Sequence, residues 1–322
     1  MKRFFRCAAW LLAIFLYLPQ NALAARLLIP VGEVIGISVE DGSVTVAAFD
    51  PELGQEAKAA GLCAGDRILK VDGIHIRKSL DIREALSRSD GRVEVEILRE
   101  GKMHTLMLEP RITRDGPKLG IYLKEGVTGI GTVTWYDPDT GAFAALGHGV
   151  NTPAGELVLM ESGSAYRAGI TSVKKGAPGE PGQLMGALES REPIGVITRN
   201  SQQGIFGNAE NAWVGTPLPT AESHQIHPGS AVIRATVRGD EVREYSVEIL
   251  KIYPGTRPGG RNMLLQITDP ALLKATGGIV QGMSGSPIIQ DGKLVGAVTH
   301  VLVNDPTRGY GIFIENMLDA AA

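Results

Sequence analysis

The sequence predicts a mainly β protein made of a small α+β module followed by a larger β module. One observation is composition: the 322 residues include 41 glycines and 18 prolines without a three-residue period, which indicates short strands joined by tight turns. Another is that short runs rich in β-branched residues recur, with few helical patterns between them. Hydrophobic residues make up 43% and charged residues 21%, which is typical of a globular chain.

The N-terminus has the pattern of a secretory signal peptide over residues 1–24. Lys2, Arg3 and Arg6 precede an apolar run from Cys7 to Leu18, and Ala22-Leu23-Ala24 supplies a cleavage site. The run holds about 12 apolar residues, fewer than the ~20 that span a bilayer, so removal is favoured over an uncleaved anchor, which is the alternative. Removal also takes away three positive charges from a chain of net charge −3, and no basic surface for nucleic acid is indicated.

The first module is predicted over residues 27–111. Its pattern is two strands, a short helix, a strand with an Asp-Gly turn, a helix and two strands. The first two strands, Val34–Val39 and Ser43–Ala48, are separated by Glu40–Gly42; the later segments are Ala57–Gly61, Gly65–Gly73 with its Asp72-Gly73 turn, Leu80–Ser89, Arg92–Leu98 and Met103–Glu109.

One segment of this module, from Ala60-Gly61-Leu62 through Gly65-Asp66 to Val71-Asp72-Gly73, resembles bacterial PDZ domains. The resemblance implies that an extended peptide binds as an added strand and that backbone amides of a glycine loop receive its terminal carboxylate. By this resemblance the loop is Val34-Ile35-Gly36-Ile37, which departs from the usual Gly-Leu-Gly-Phe pattern. The alternative is that these residues are ordinary core and turn positions.

The second module is predicted over residues 120–322 as a barrel or sandwich, because short strands follow one another with only one clear helix, at 270–274. The predicted strands are Gly131–Trp135, Glu156–Met160, Pro193–Thr198, Ser230–Val237, Glu244–Ile252 and Lys293–Val303.

Three segments of the second module suggest chemistry, and the sharpest is Gly282-Met283-Ser284-Gly285-Ser286-Pro287. It resembles the nucleophile loop of trypsin-like serine peptidases, in which a serine stands between glycines. The amides of Gly282 and Ser284 are predicted to form an oxyanion hole. A plain Gly/Ser turn is the alternative, and Ser286 is the rival nucleophile.

The second segment places His148 between Gly147 and Gly149 at the end of a strand of small residues. A serine nucleophile needs a base, and histidine titrates near neutral pH. His148 is therefore the predicted base, with a hydrogen-bonded turn histidine as the alternative. His300 lies inside a predicted strand and is expected to be structural.

The third segment is Asp269, which ends an apolar strand and would orient the histidine as a triad carboxylate. Because Pro270 follows, an N-cap of the next helix is a strong alternative. Asp137, Asp139 and Asp305 are comparable candidates for the same role.

Taken together, these segments resemble the stage IV sporulation protein B (SpoIVB) serine peptidases of endospore-forming bacteria. The resemblance is densest in Phe143–Gly149, Gln281–Gln290, Gly296–Pro306 and Gly309–Gly311. It implies a trypsin-like β-barrel with His148 as base, Asp269 as its orienting partner and Ser284 as nucleophile, with no cofactor and no metal.

The same resemblance implies a regulatory role. A family member is secreted by the forespore into the space between its two membranes, and it cleaves itself and an extracytoplasmic segment of a membrane-bound regulator of an intramembrane protease. That cleavage triggers activation of a mother-cell sigma factor. The PDZ ligand lies in a partner or in the enzyme's own chain. Two other classes stay open: a non-catalytic secreted PDZ adaptor, and an envelope quality-control serine protease, although such proteases usually place the PDZ domain after the catalytic domain.

Overall fold

The computed structural model describes residues 26–152, 155–255 and 257–322, so the predicted signal peptide lies outside the described residues. No helix in these ranges is long and apolar enough to cross a membrane. The mainly β class that the sequence predicts is confirmed by the order of elements.

Twenty strands and four α-helices are present in the described ranges. The strands are β1 (Leu27–Pro30), β2 (Val34–Phe49), β3 (Arg67–Val71), β4 (Ile74–His75), β5 (Val93–Arg99), β6 (Lys102–Leu108), β7 (Arg111–Thr113), β8 (Gly116–Lys118), β9 (Ile121–Tyr136), β10 (Ala142–Ala145), β11 (Ser162–Lys174), β12 (Gln183–Ser201), β13 (Gly204–Asn208), β14 (Leu218–Pro219), β15 (Gly229–Thr236), β16 (Val242–Ile252), β17 (Met263–Ile267), β18 (Pro287–Gln290), β19 (Lys293–Leu302) and β20 (Asp305–Phe313). The helices are α1 (Gln55–Ala59), α2 (Ser79–Arg88), α3 (Pro270–Thr276) and α4 (Ile314–Ala321), with 3₁₀ turns at Ser223–Gln225 and Pro258–Gly260.

Apart from β7 and β8, which pair only with each other, the strands form one large sheet and one closed barrel. The 12-stranded sheet runs β14-β1-β9-β10-β13-β12-β11-β2-β3-β5-β6, with β4 on β3, and the barrel is β15-β16-β17-β20-β19-β18. A closed barrel leaves no exposed strand edge around its circumference. Of the two architectures that the sequence left open for the second module, the barrel is the one present.

Strands β2 and β9 are the longest antiparallel partnership, and they pair in two segments. Val34–Val39 pairs with Val127–Thr132, and Val44–Phe49 pairs with Ile121–Glu125. Between the segments Gly126 has φ +60°, and a Cβ there would lie 2.0 Å from the Val39 carbonyl oxygen, so only glycine fits. The sequence predicts two strands separated at Glu40–Gly42, whereas the structure has the single strand β2, whose pairing with β9 shifts register between Val39 and Val44.

This pairing interleaves the two modules. The first half of β2 packs with the cluster that contains Val133 and Phe143, in the core of the large sheet. The first half of β9 packs instead on the cluster of the PDZ-like module, which contains Val44, Ile68 and Ile97. The module boundaries predicted at residues 111 and 120 stay predictions. The hydrophobic clusters do not follow these boundaries, because β2 and β9 each pack on both of them.

The Gly65-Asp66 pair of the PDZ-like motif has a structural explanation. Asp66 is almost fully buried and accepts two hydrogen bonds from Arg99, both at 2.6 Å, and one from the Cys63 amide at 2.7 Å. Burial acts to raise the pKa of Asp66, but these donors outweigh it and hold the pKa below its ordinary value. The carboxylate thus ties the loop after α1 to the end of β5.

We expect Asp66→Ala to lower the free energy of unfolding by about 2 kcal/mol, because it removes a buried carboxylate that accepts from the partly exposed Arg99 guanidinium and from the Cys63 amide. The matched control is Asp115→Ala, which removes an exposed ion pair with Lys118 and is expected to cost much less. Urea denaturation measures both variants. Equal costs for the two variants would contradict the role given to Asp66.

Candidate active site

The predicted nucleophile loop lies against the strand β9. Gly285 has φ +97°, and a Cβ at this position would lie 1.9 Å from the Thr132 carbonyl oxygen. The second glycine of the motif is therefore required by the close approach of two backbones. Gly282, two residues before Ser284, has φ +100°, so the loop turns sharply on both sides of the serine.

The backbone amides of this loop divide into two groups. Those of Met283, Gly285 and Ser286 donate to Val280, Val298 and Met283, respectively. In the described part of the chain the amides of Gly282 and Ser284 donate to no protein acceptor. Two unused amides on either side of one residue are what an oxyanion hole requires, and they are the two that the sequence predicts.

Ser284 and His148 line one cavity of about 560 Å³ between the large sheet and the barrel. His300, Thr299 and Gly282 also line it. None of its lining residues carries a charged side chain of Asp, Glu, Lys or Arg; the remaining walls are mostly aliphatic and comprise Ile37, Val127, Ile130, Leu146, Val150, Ile279, Val280, Val301 and Val303. The structure thus brings the predicted nucleophile and base together in an apolar site.

His148 is poised as a neutral base. Burial lowers its pKa below the ordinary value of 6.5. Its Nδ1 lies 3.0 Å from the Gly149 carbonyl oxygen. When Nδ1 carries the proton, it donates to this carbonyl, and the lone pair of Nε2 is available to take a proton.

The Ser284 hydroxyl is in a resting arrangement. Its Oγ donates to the Thr299 carbonyl at 2.7 Å and not to His148. The hydroxyl must therefore leave Thr299 and turn to the imidazole before it can attack a substrate.

His300 is a site residue that the sequence analysis took for a structural one. Its ring centroid lies 5.3 Å from that of His148. Burial, then the nearby His148 and Arg261, lower its pKa to about 4, so it is neutral at pH 7. The only signal in the sequence is that His300 lies 16 residues after Ser284 and directly after Thr299. In the structure the Thr299 carbonyl accepts from the serine hydroxyl, which places His300 beside it.

Asp269 does not contact His148 in this structure. Its carboxylate accepts from the amides of Ala271 and Leu272 at 2.9 and 3.0 Å, as the N-cap of α3, and it does not line the cavity. The predicted triad role has no support in this geometry, and the helix-cap alternative explains the residue. Of the rival carboxylates, Asp137 pairs with Arg26, and neither Asp139 nor Asp305 lines the cavity.

Ser286 is not an accessible nucleophile. It is fully buried, and within the described residues its Oγ has no hydrogen-bond partner. A substrate carbonyl cannot reach it, so Ser284 is the serine that the cavity presents.

The prediction that Val34-Ile35-Gly36-Ile37 forms a peptide-binding loop is wrong. These residues are buried, and their strand is paired on one edge with β9 and on the other with β11. A peptide needs an unpaired edge to add to.

The PDZ-like module offers a free edge elsewhere. The Ile121–Val127 part of β9 pairs with β2 on one side and has no strand on its other side among the described residues. Helix α2 lies beside it, since the Ser79 amide donates to the Glu125 carboxylate at 2.6 Å. Leu119-Gly120-Ile121 leads into this edge with the same hydrophobic-Gly-hydrophobic pattern that pointed to residues 34–37.

Comparison with protein families agrees with this layout. The family described as SpoIVB peptidase S55 matches residues 115–318, and the PDZ domain family matches residues 33–109. Two curated proteins are similar over shorter stretches. The putative zinc metalloprotease R01501 of Rhizobium meliloti strain 1021 is 36% identical over 100 residues, which are 31% of this chain and 26% of that protein. The putative zinc metalloprotease LL2128 of Lactococcus lactis subsp. lactis strain IL1403 is 32% identical over 144 residues, which are 41% of this chain and 33% of that protein. The chain thus spans about a quarter to a third of their lengths.

Among solved structures, the Rv3671c protease in its inactive form is similar with a TM-score of 0.36 at 14% identity, over 59% of this chain and 81% of that one. A serine-to-alanine mutant of Rv3671c from M. tuberculosis H37Rv, also inactive, gives a TM-score of 0.33 at 12% identity, over 59% and 78%. In the described ranges no group of three or more His, Cys, Asp or Glu residues is arranged to hold a metal ion.

We expect the acid limb of the pH–rate profile to have its midpoint below pH 6.5. Burial lowers the pKa of His148, so the neutral base persists to more acidic pH than a solvent-exposed histidine would allow. The measurement is kcat/KM for labelled casein between about pH 4.5 and about pH 9. A midpoint above 6.5 would show that the base is charged more easily than its buried position permits.

We expect Asp269→Ala to lower the free energy of unfolding by about 1 kcal/mol, because it removes the cap of α3. Asp269→Asn keeps a capping oxygen and is expected to match the wild type in both stability and hydrolysis. Thermal melts and casein hydrolysis measure the two variants side by side. Loss of activity in the Asn variant at unchanged stability would require the carboxylate to reach His148, against the geometry described.

Proposed function

The chain belongs to the SpoIVB peptidase S55 family and is a serine peptidase, and we propose that Ser284 is its nucleophile and His148 its general base. One observation carries this assignment. A single apolar cavity holds the Ser284 hydroxyl, a buried histidine with a lowered pKa, and the two unused amides of Gly282 and Ser284.

In the proposed reaction the Ser284 hydroxyl first leaves the Thr299 carbonyl. Its proton passes to His148 Nε2 as Oγ bonds to the scissile carbonyl carbon, and the resulting oxyanion accepts from the Gly282 and Ser284 amides. The carbon–nitrogen bond then breaks as His148 returns the proton to the leaving amine. Water, activated by His148, hydrolyses the acyl-enzyme and restores the hydroxyl.

We propose that the substrates are proteins outside the cytoplasm, in a sporulation signalling step. Family membership and the signal-peptide pattern of residues 1–24 support this. The enzyme would cleave itself and an extracytoplasmic segment of a membrane-bound regulator of an intramembrane protease, in the space between forespore and mother cell.

The PDZ domain would select these targets. We propose that an extended peptide adds to the free edge of β9 at Ile121–Val127, beside α2, rather than at Val34–Ile37. Tyr122 is 54% exposed on this edge and Ile121 and Leu123 are partly buried, so the edge offers both main-chain groups and apolar side-chain contacts. The ligand lies in a partner protein or in the enzyme's own chain.

We expect Ser284→Ala to lower kcat/KM for casein by at least about a thousandfold and to abolish labelling by a fluorophosphonate probe, since both need the nucleophile. Ser286→Ala is the matched control, one turn away in the same loop and fully buried, and it is expected to keep both activities. Equal hydrolysis by wild type and Ser284→Ala would overturn the assignment. No hydrolysis by a folded wild type would favour the non-catalytic adaptor. The Ser284–Thr299 hydrogen bond would then be a permanent structural contact.

The regulatory role is tested in the producing cell. With Ser284→Ala in place of the wild type, we expect the protein to be exported as before while sigma-factor-dependent transcription in the mother cell is lost. Unchanged transcription with an inactive enzyme would remove the signalling role and leave the peptidase assignment intact.

A further inference from the structure

We propose that Thr132 is a positioning residue that sets the geometry of the oxyanion hole, an inference that rests on the proposed role of Ser284. Thr132 lies on β9, 150 residues before the loop it contacts, and is fully buried. Its side-chain Oγ1 donates to the Gly282 carbonyl at 2.7 Å, and its backbone amide donates to the Ser284 carbonyl at 3.0 Å.

The two bonds matter because every peptide unit of the loop is a rigid plane. A donor that fixes a carbonyl also fixes the N–H of the next residue, which points the opposite way. The carbonyls of Gln281 and Met283 accept from the amides of Leu184 and Ser286, and these bonds orient the N–H groups of Gly282 and Ser284.

Thr132 holds the two remaining planes, those that begin at the Gly282 and Ser284 carbonyls. The first of these lies next to Gly282, whose φ of +100° and missing side chain give it the freedom to rotate. Without the Oγ1 donor, the Gly282 carbonyl has no hydrogen-bond partner among the described residues, and rotation of this plane would change the angle between the two oxyanion donors.

Thr132 also reaches the segment that carries the base. Its carbonyl accepts from the Leu146 amide at 3.2 Å, two residues before His148. One residue therefore fixes the nucleophile loop through two donors and the base segment through one acceptor, and so sets the spacing between them.

The local sequence fits this role. In Thr132-Val133-Thr134 the two threonines lie on one face of β9 and the valine on the other. Thr134 Oγ1 donates to the Gly285 carbonyl at 2.8 Å, so both hydroxyls contact the nucleophile loop, while Val133 packs in the core of the large sheet.

The test is a set of variants that differ by the hydroxyl. Thr132→Val keeps the shape of the side chain and removes the donor, and it is expected to lower kcat about 10- to 100-fold with KM and the acid midpoint of the pH profile unchanged, because the oxyanion forms only in the transition state. Thr132→Ser restores the donor and is expected to recover kcat to within about threefold of the wild type.

Thr236→Val is the matched control. This threonine is buried, its Oγ1 donates to the Gly32 carbonyl at 3.1 Å, and it does not line the cavity, so its loss is expected to change stability and not kcat. Thermal melts of all variants separate a lost fold from a displaced loop. If Thr132→Val does not fold, Thr132→Ser and Thr132→Ala, which also differ by one hydroxyl, replace the pair.

The proposal would be overturned if a folded Thr132→Val had a kcat within about twofold of the wild type. If Thr132→Ala replaces it, the comparison is with Thr132→Ser. An equal fall of kcat in Thr236→Val would also overturn the proposal. Ser284→Ala, assayed on the same casein, keeps the two assignments apart. An active Ser284→Ala enzyme would refute the proposed nucleophile, whereas an inactive one beside a fully active Thr132→Val refutes only the role of Thr132.

Discussion

The antiparallel pairing of β2 with β9 is the constraint on which the rest of the structure depends. It runs along both 16-residue strands and joins the PDZ-like core to the core of the large sheet. Before Gly126, β9 forms the free edge beside α2; after it, the same strand contacts the nucleophile loop through Thr132 and Thr134. Hydrogen-bonded sheets transmit a shift of one strand to its neighbours, so the proposed peptide-binding edge and the proposed nucleophile loop share one strand.

The apolar cavity sets the electrostatics of the site. With no charged side chain in its lining, burial is the dominant influence on His148 and His300; it lowers the pKa of His148 below 6.5 and contributes most to lowering that of His300 to about 4. No carboxylate contacts His148 within the described ranges, and its Nδ1 faces a backbone carbonyl instead. An imidazolium formed during reaction would therefore be stabilised by the dipole of the Gly149 peptide rather than by a full negative charge.

The features that sequence reasoning found are those whose physical cause is local. Ser284 and His148 stand between glycines because the backbone turns sharply at both places, and the turns are visible in the sequence. Asp269 precedes a proline, a pattern typical of helix starts, and its contacts with the Ala271 and Leu272 amides show that it caps α3. The same loop pattern occurs in Val34–Ile37 and in Leu119–Ile121. Only the strand pairing shows that the first segment is covered on both edges, whereas the second leads into the free edge of β9. The role of Thr132 could not be predicted from the sequence, because the Gly282 carbonyl that it contacts lies 150 residues away in the chain.

The assignment of Ser284 as nucleophile can be tested by the structure of a covalent adduct between the protein and a peptidyl phosphonate. We expect a bond from phosphorus to Ser284 Oγ, a phosphonyl oxygen that accepts from the Gly282 and Ser284 amides, and Asp269 still at the N-cap of α3. An adduct on another residue would refute the assignment. So would a phosphonyl oxygen held by other donors, or an Asp269 carboxylate bonded to His148.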